Sequence, residues 1–167
     1  MSTDYFNKIL VAFDGSSDSV QALTLAESIA KDKNASLTVA YVYDQSRDKD
    51  EESYSTKNAL SHTYVGPGPV PTRPVPATKN SNHKRPGKEK AERVLSSARS
   101  AITSNIDVTY ETLLGKPAHE LKVYARDNKI DLIVIGSRGL SGIKKLVMGS
   151  VSKKVTEQAE CPVLVAK

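Results

Sequence analysis

The 167-residue sequence has no tryptophan, two phenylalanines and one cysteine, Cys161. A lone cysteine excludes an internal disulfide, and nothing around it has the spacing of a zinc-ligand cluster. No apolar run approaches the roughly 18 residues of a membrane-spanning helix. The opening MSTDYFNKILVAFD begins acidic and polar, unlike a secretory leader, so a cytoplasmic protein is expected. With so few large aromatics to stack on bases, nucleic acid is not an expected partner, despite a net charge of +5. That charge is local. Arg73, Lys79, Lys84, Arg85, Lys88 and Lys90, less Glu89, already sum to +5, so the rest of the chain is neutral.

What is present reads as a soluble globular chain, with 38% hydrophobic and 26% charged residues. The length suits a single domain over residues 1–167 with a substantial core. The most informative stretch runs from Asp131 to Lys154, DLIVIGSRGLSGIKKLVMGSVSKK. Leu132-Ile133-Val134-Ile135 is short, apolar and β-branched, the pattern of a strand covered on both faces. It stops at Gly136, and glycines recur at Gly139, Gly142 and Gly149. Beyond Ser150, Val151, Val155 and Ala159 recur every four residues as one face of a helix. Gly149, Ser150 and Ser152 therefore fall at the helix start. Such starts carry unpaired N–H groups and partial positive charge, which suit phosphate. Glycines admit an anion close to the backbone and supply positive-φ turns that aim N–H groups at it. A phosphate cradle is the expectation, against the plainer alternative of a glycine-rich turn.

Upstream, Asn7 to Phe13 is a second buried-strand pattern ending at Asp14-Gly15-Ser16-Ser17. Val20, Leu23, Ala26 and Ala30 then mark a helix from Asp18 to about Lys31, with Ser16 or Ser17 as cap. Ser36 to Tyr43 is a strand, which completes a βαβ unit with parallel strands. The pattern breaks at about 45–87. Pro67, Pro69, Pro71, Pro74, Pro76 and Pro86 forbid a helix or ladder strand, so a Pro-rich, basic, flexible insert is expected there. A proline-reading or acidic protein partner for this insert is one option, and plain exposed chain is the other. Helix returns over Glu89–Ile102, an edge strand over Asp107–Leu113 and a helix from Pro117 to about Lys129. Cys161 to Ala166 reads as a last strand, with Cys161 a core residue at a helix end.

Strands and helices alternating in this way give an α/β fold with five mostly parallel strands. Ligands of such sheets bind beyond the carboxyl ends of strands, where the winding reverses. If the first and fourth strands are neighbours, the Asp14 loop faces the cradle. Asp14 would then hold a ribose hydroxyl or a phosphate-bound metal ion, or else act as a turn aspartate.

Gly136-Ser137-Arg138-Gly139, nine residues from Leu140 to Met148, then Gly149-Ser150, resembles the motif of the universal stress protein (UspA-like) family in its ATP-binding subgroup. KILVAFDGSSDS, GKPAHEL and CPVLVAK strengthen the likeness, which covers about residues 5–44 and 88–167. The resemblance implies a Rossmann-like open five-stranded parallel sheet of order 3-2-1-4-5 with helices on both faces. It implies ATP as ligand, with Mg or Mn reached by Asp14 only through the nucleotide. Ala12 and Asp14 would lie near the nucleoside, and the Val42 backbone near adenine. Gly136, Ser137, Arg138, Gly139, Gly142, Gly149, Ser150 and Val151 would surround ribose and phosphates, and Ser152 would complete the helix start. It further implies a homodimer through the Val163–Ala166 strand.

The resemblance implies a nucleotide-dependent regulator in stress response; with no general base evident and the GxxxxGK[ST] loop absent, slow ATP hydrolysis or autophosphorylation at most is expected. The alternatives are a nucleotide-activating enzyme of the related α/β class and an interaction module acting through the insert. Asp14-Gly15-Ser16-Ser17-Asp18-Ser19 only loosely follows the SGGxDS loop of such enzymes.

Overall fold

Strands and helices alternate along the chain as β1 (Lys8–Ala12), α1 (Ser17–Lys33), β2 (Ser36–Tyr43), α2 (Pro86–Ala101), β3 (Val108–Leu114), α3 (Pro117–Asp127), β4 (Leu132–Gly136), α4 (Ser150–Gln158) and β5 (Val163–Ala166). The computed structural model describes residues 6–46, 86–140 and 148–167. Every strand pairing is parallel, and the sheet order is β3-β2-β1-β4-β5. The expected winding and reversal beside β1 are therefore present.

Alternation along the strands divides the core between the two faces of the sheet. Ile9, Val11, Leu37, Val39 and Val134 meet Ala22, Leu23 and Ala26 of α1 and Ala91, Leu95 and Ala98 of α2. Leu10, Ala40, Ile133 and Ile135 meet Leu121 and Ala125 of α3 and Val155 of α4. All five residues of β4 are buried, as its continuous apolar run requires.

Local signals set the element ends. Ser16 caps α1 by accepting from the Ser19 N–H at 3.2 Å, and Asn34 closes it in the left-handed region at φ 52°. One helix start departs from expectation. α2 begins at Pro86 rather than Glu89, because proline suits a first helical turn and Gly87, lacking a Cβ, sits directly against the Tyr43 ring. The expected insert at about 45–87 thus overlaps α2 at Pro86 and Gly87, and residues 47–85 lie outside the described residues. β5 begins at Val163 rather than Cys161, since Pro162 joins the sheet only through its carbonyl, which accepts from Ile133 N–H at 3.0 Å.

Register positions the site. Asp131 Oδ2 accepts from the N–H groups of Asn7 and Lys8, at 2.9 Å each, and pins the start of β1 to the start of β4. Ala12 consequently stands opposite Ile135, so the loops after β1 and β4 leave the sheet side by side. Among the described residues no helix is long and apolar enough to cross a membrane.

Candidate functional site

The β1 loop turns sharply after Phe13. Asp14 Oδ1 accepts from the Ser16 N–H at 2.9 Å, and Gly15 takes φ +84°, which a side chain adopts only with strain. This turn leaves the second carboxylate oxygen facing the β4 loop. A Cβ built on Gly139 would stand 2.7 Å from Asp14 Oδ2. Asp14 and Gly139, 125 positions apart in sequence, are thus in close approach, with no room as they stand for even a methyl group between them.

Gly136 serves a different purpose. A Cβ there would meet the main chain of Asp18 at 2.7 Å, so its absence lets the first turn of α1 approach the end of β4. Gly149 is also a matter of space, with the Ser137 carbonyl oxygen 3.3 Å from where its Cβ would lie. Its backbone is extended at φ −61°, ψ 151°. The expectation that cradle glycines supply positive φ is not met at Gly136, Gly139 or Gly149; the positive-φ glycines among the described residues are Gly15 and Gly115. Close approach explains these three glycines.

Main-chain and hydroxyl bonds then hold the loop ends together. Gly149 N–H donates to the Ser137 carbonyl at 2.7 Å, and Ser152 Oγ donates to the Gly136 carbonyl at 2.7 Å. Ser152 is buried, so its hydroxyl fastens β4 to α4. Val151 packs its side chain against the core beside Val155. α4 starts with no side-chain cap at Gly149 and no acid in its first turn. That is the arrangement of a helix start able to accept an anion.

The remaining expected residues are distributed around this center. Ala12 is half-buried at the end of β1, and Val42 is half-buried near the end of β2, opposite Leu113. Arg138 is half-exposed, and Gly139 and Ser150 are exposed. Gly142 lies outside the described residues. Two residues that sequence reasoning did not place at the site are Ser16, whose N–H fixes Asp14, and Asp18, whose carboxylate accepts from Ser137 Oγ at 2.7 Å. Ser16 was legible as a cap. Asp18 reads in sequence as an ordinary first-turn acid, and its partner lies 119 positions away.

Among the described residues no group of three His, Cys, Asp or Glu is placed to hold a metal ion. Cys161 is half-buried among core residues next to α4, and burial pushes its thiol up, with Asp131 and Glu160 adding to the effect. It remains a neutral thiol near pH 7, in keeping with a packing role.

The whole chain can now be set beside known proteins. It is 35% identical over 164 residues to the universal stress protein YxiE of Bacillus subtilis, covering 97% of this chain and 99% of the relative. The solved structure of universal stress protein UspA from Lactobacillus plantarum superposes with a TM-score of 0.61 at 25% identity, covering 97% and 98% of the two chains. Two more distant likenesses show the fold alone: a universal stress protein in complex with cAMP (TM-score 0.57, 23% identity, 96% of both chains) and one from Archaeoglobus fulgidus in complex with dAMP (TM-score 0.56, 19% identity, 98% and 99%). The family model described as the universal stress protein family matches residues 6–167, and the chain belongs to that family.

Proposed function

We propose that the chain is an adenine-nucleotide-binding regulatory protein of the cytoplasm, with ATP as its ligand and without efficient turnover. The observation that carries this reading is the Asp14 carboxylate brought against the Gly139 turn, beside an uncapped helix start at Gly149. A carboxylate suits ribose hydroxyls, and unpaired N–H groups of a helix start suit phosphate. Asp14 would face the ribose, the Ala12 and Val42 main chain the adenine side, and Arg138, Gly139, Gly149 and Ser150 the phosphates. Bound ATP would bring the polyphosphate charge that Mg or Mn neutralises, with Asp14 reaching the metal only through the nucleotide. The cAMP and dAMP held by two proteins of this fold make adenine nucleotides the class to test. Binding without turnover stabilises one conformation and so couples nucleotide level to a partner.

The same proposal includes a homodimer through β5. Ile133 N–H donates to the Pro162 carbonyl and Ser137 N–H to the Ala166 carbonyl, so even-numbered residues of β5 bond to β4. Strand alternation turns the N–H and C=O groups of Val163 and Val165 to the open edge, where a second copy would pair with them. A protein partner at the Pro-rich insert is a further part of the proposal.

The test is to denature freshly purified protein, identify any nucleotide released, and titrate ATP by calorimetry with and without Mg²⁺. Co-purified or micromolar ATP without phosphate release supports the reading. No adenine-nucleotide binding at millimolar concentration overturns it.

A further inference from the structure

Each polar group of Ser137 is bonded to a different element. Its N–H donates to the Ala166 carbonyl of β5 at 2.6 Å, its carbonyl accepts from Gly149 N–H before α4 at 2.7 Å, and its hydroxyl donates to Asp18 Oδ2 of α1 at 2.7 Å. The first two bonds are main-chain geometry that many side chains would permit. The third requires a hydroxyl at 137 and an acceptor at 18. An acid in the first turn of α1 would favour the helix dipole equally well pointing into water. Here it points inward, onto a residue only 6% exposed, and next to Gly136, whose missing Cβ makes the approach possible.

We propose that Asp18 is a positioning residue of the cradle: its carboxylate holds Ser137 Oγ and thereby sets where the Arg138-Gly139 turn stands relative to Asp14. The local effect follows from the distances alone. Its consequence for ATP rests on the nucleotide reading of the site. Removing the carboxylate leaves a buried hydroxyl without its acceptor and the turn held only by main-chain bonds. Loss of such a bond corresponds to about a tenfold increase in local opening, detectable in amide exchange. Asparagine keeps an acceptor oxygen at the same reach and is the conservative rescue.

The experiment uses the full chain as wild type, Asp18→Ala, Asp18→Asn, Ser137→Ala and the double alanine variant. Amide exchange is followed by NMR at Ser137 and Gly149, with Ala98 in α2 as the remote reference, and ATP affinity is measured on the same samples. Asp18→Ala and Ser137→Ala should each speed exchange about tenfold at Ser137 and Gly149 but not at Ala98, and the double variant should add nothing further. Asp18→Asn should stay near wild type, and ATP affinity should fall in step with exchange. Unchanged exchange in Asp18→Ala overturns the proposal, as does an equal rise at Ala98 or failure of Asp18→Asn to rescue. Altered exchange with unchanged ATP affinity overturns the link to the cradle. A wild type that binds no nucleotide sinks the proposed function instead, while the exchange comparison still decides the positioning role.

Discussion

Gly136, which ends β4, and Gly139, in the loop after it, should respond in different ways to the same substitution. At Gly136 an added Cβ would meet Asp18 carbonyl carbon at 2.7 Å and Asp18 Cβ and carbonyl oxygen at 2.9 Å. Main chain cannot rotate aside, so α1 must shift from β4. Overpacking of this kind costs about 1–3 kcal/mol. Replacing glycine where φ is permissive recovers about 0.4–1 kcal/mol through the unfolded chain, which leaves Gly136→Ala destabilised by about 1–2 kcal/mol. For a chain of this size that lowers Tm by about 3–6 °C. Among the described residues, the close neighbour of an added Cβ at Gly139 is the tip of the Asp14 side chain, with Oδ2 at 2.7 Å and Cγ at 3.9 Å. The carboxylate can turn away, so Gly139→Ala should change stability by less than about 0.5 kcal/mol. The added methyl would instead displace the Asp14 carboxylate within the proposed nucleotide site. Thermal unfolding and ATP calorimetry on both variants separate the effects. Equal Tm losses, or a Gly136→Ala variant as stable as wild type, would refute the assignment of packing to one glycine and cradle to the other.

Three further outcomes are expected. Glu27 is buried, and its Oε1 accepts from Ser104 N–H at 2.6 Å, Thr103 N–H at 2.8 Å and Thr103 Oγ at 3.3 Å. Burial alone would raise its pKa, but these hydrogen bonds outweigh it and hold the carboxyl below its ordinary 4.5. The depressed value stabilises the fold above the unfolded pKa, and that contribution is lost as pH falls through the folded one. Glu27→Gln should therefore unfold about 2 kcal/mol more easily at pH 7, with the difference from wild type shrinking below the ordinary carboxylate range; a constant gap by denaturant titration would contradict this. Val165→Pro removes an N–H from the open edge of β5 and should convert a dimer to a monomer in sedimentation without loss of helix signal. Because Gly87 lies against Tyr43, the chain ends flanking the insert already meet. Deleting Gly66 to Arg85 should leave ATP affinity within a few-fold of wild type, and a large loss would tie the insert to binding.

Much of this architecture was legible because single residues carry single meanings. Ser36–Tyr43 reads as a strand end to end, since its β-branched and aromatic run is bounded by Asn34-Ala35 and Asp44. Ser16 announced the start of α1 through capping chemistry that depends only on local sequence. Where tertiary contact decided the outcome, local pattern misled. Pro86-Gly87 looks like loop, yet the Tyr43 ring makes glycine fit the first turn of α2. The glycines of the expected cradle stand out by spacing, but the positive φ expected of them is not met: three serve close approach. The Asp18–Ser137 bond joins residues 119 positions apart and has no local signature at all.

The central claim is that an adenine nucleotide binds where the Asp14 loop meets the Gly139 turn and the start of α4. It is tested most directly by calorimetric titration of Mg²⁺-ATP into wild type and Gly139→Val side by side. Micromolar binding by wild type, lost in a variant that unfolds at the same temperature, is the predicted result. Equal affinity in the two proteins, or no heat of binding from wild type at millimolar ATP, would contradict it.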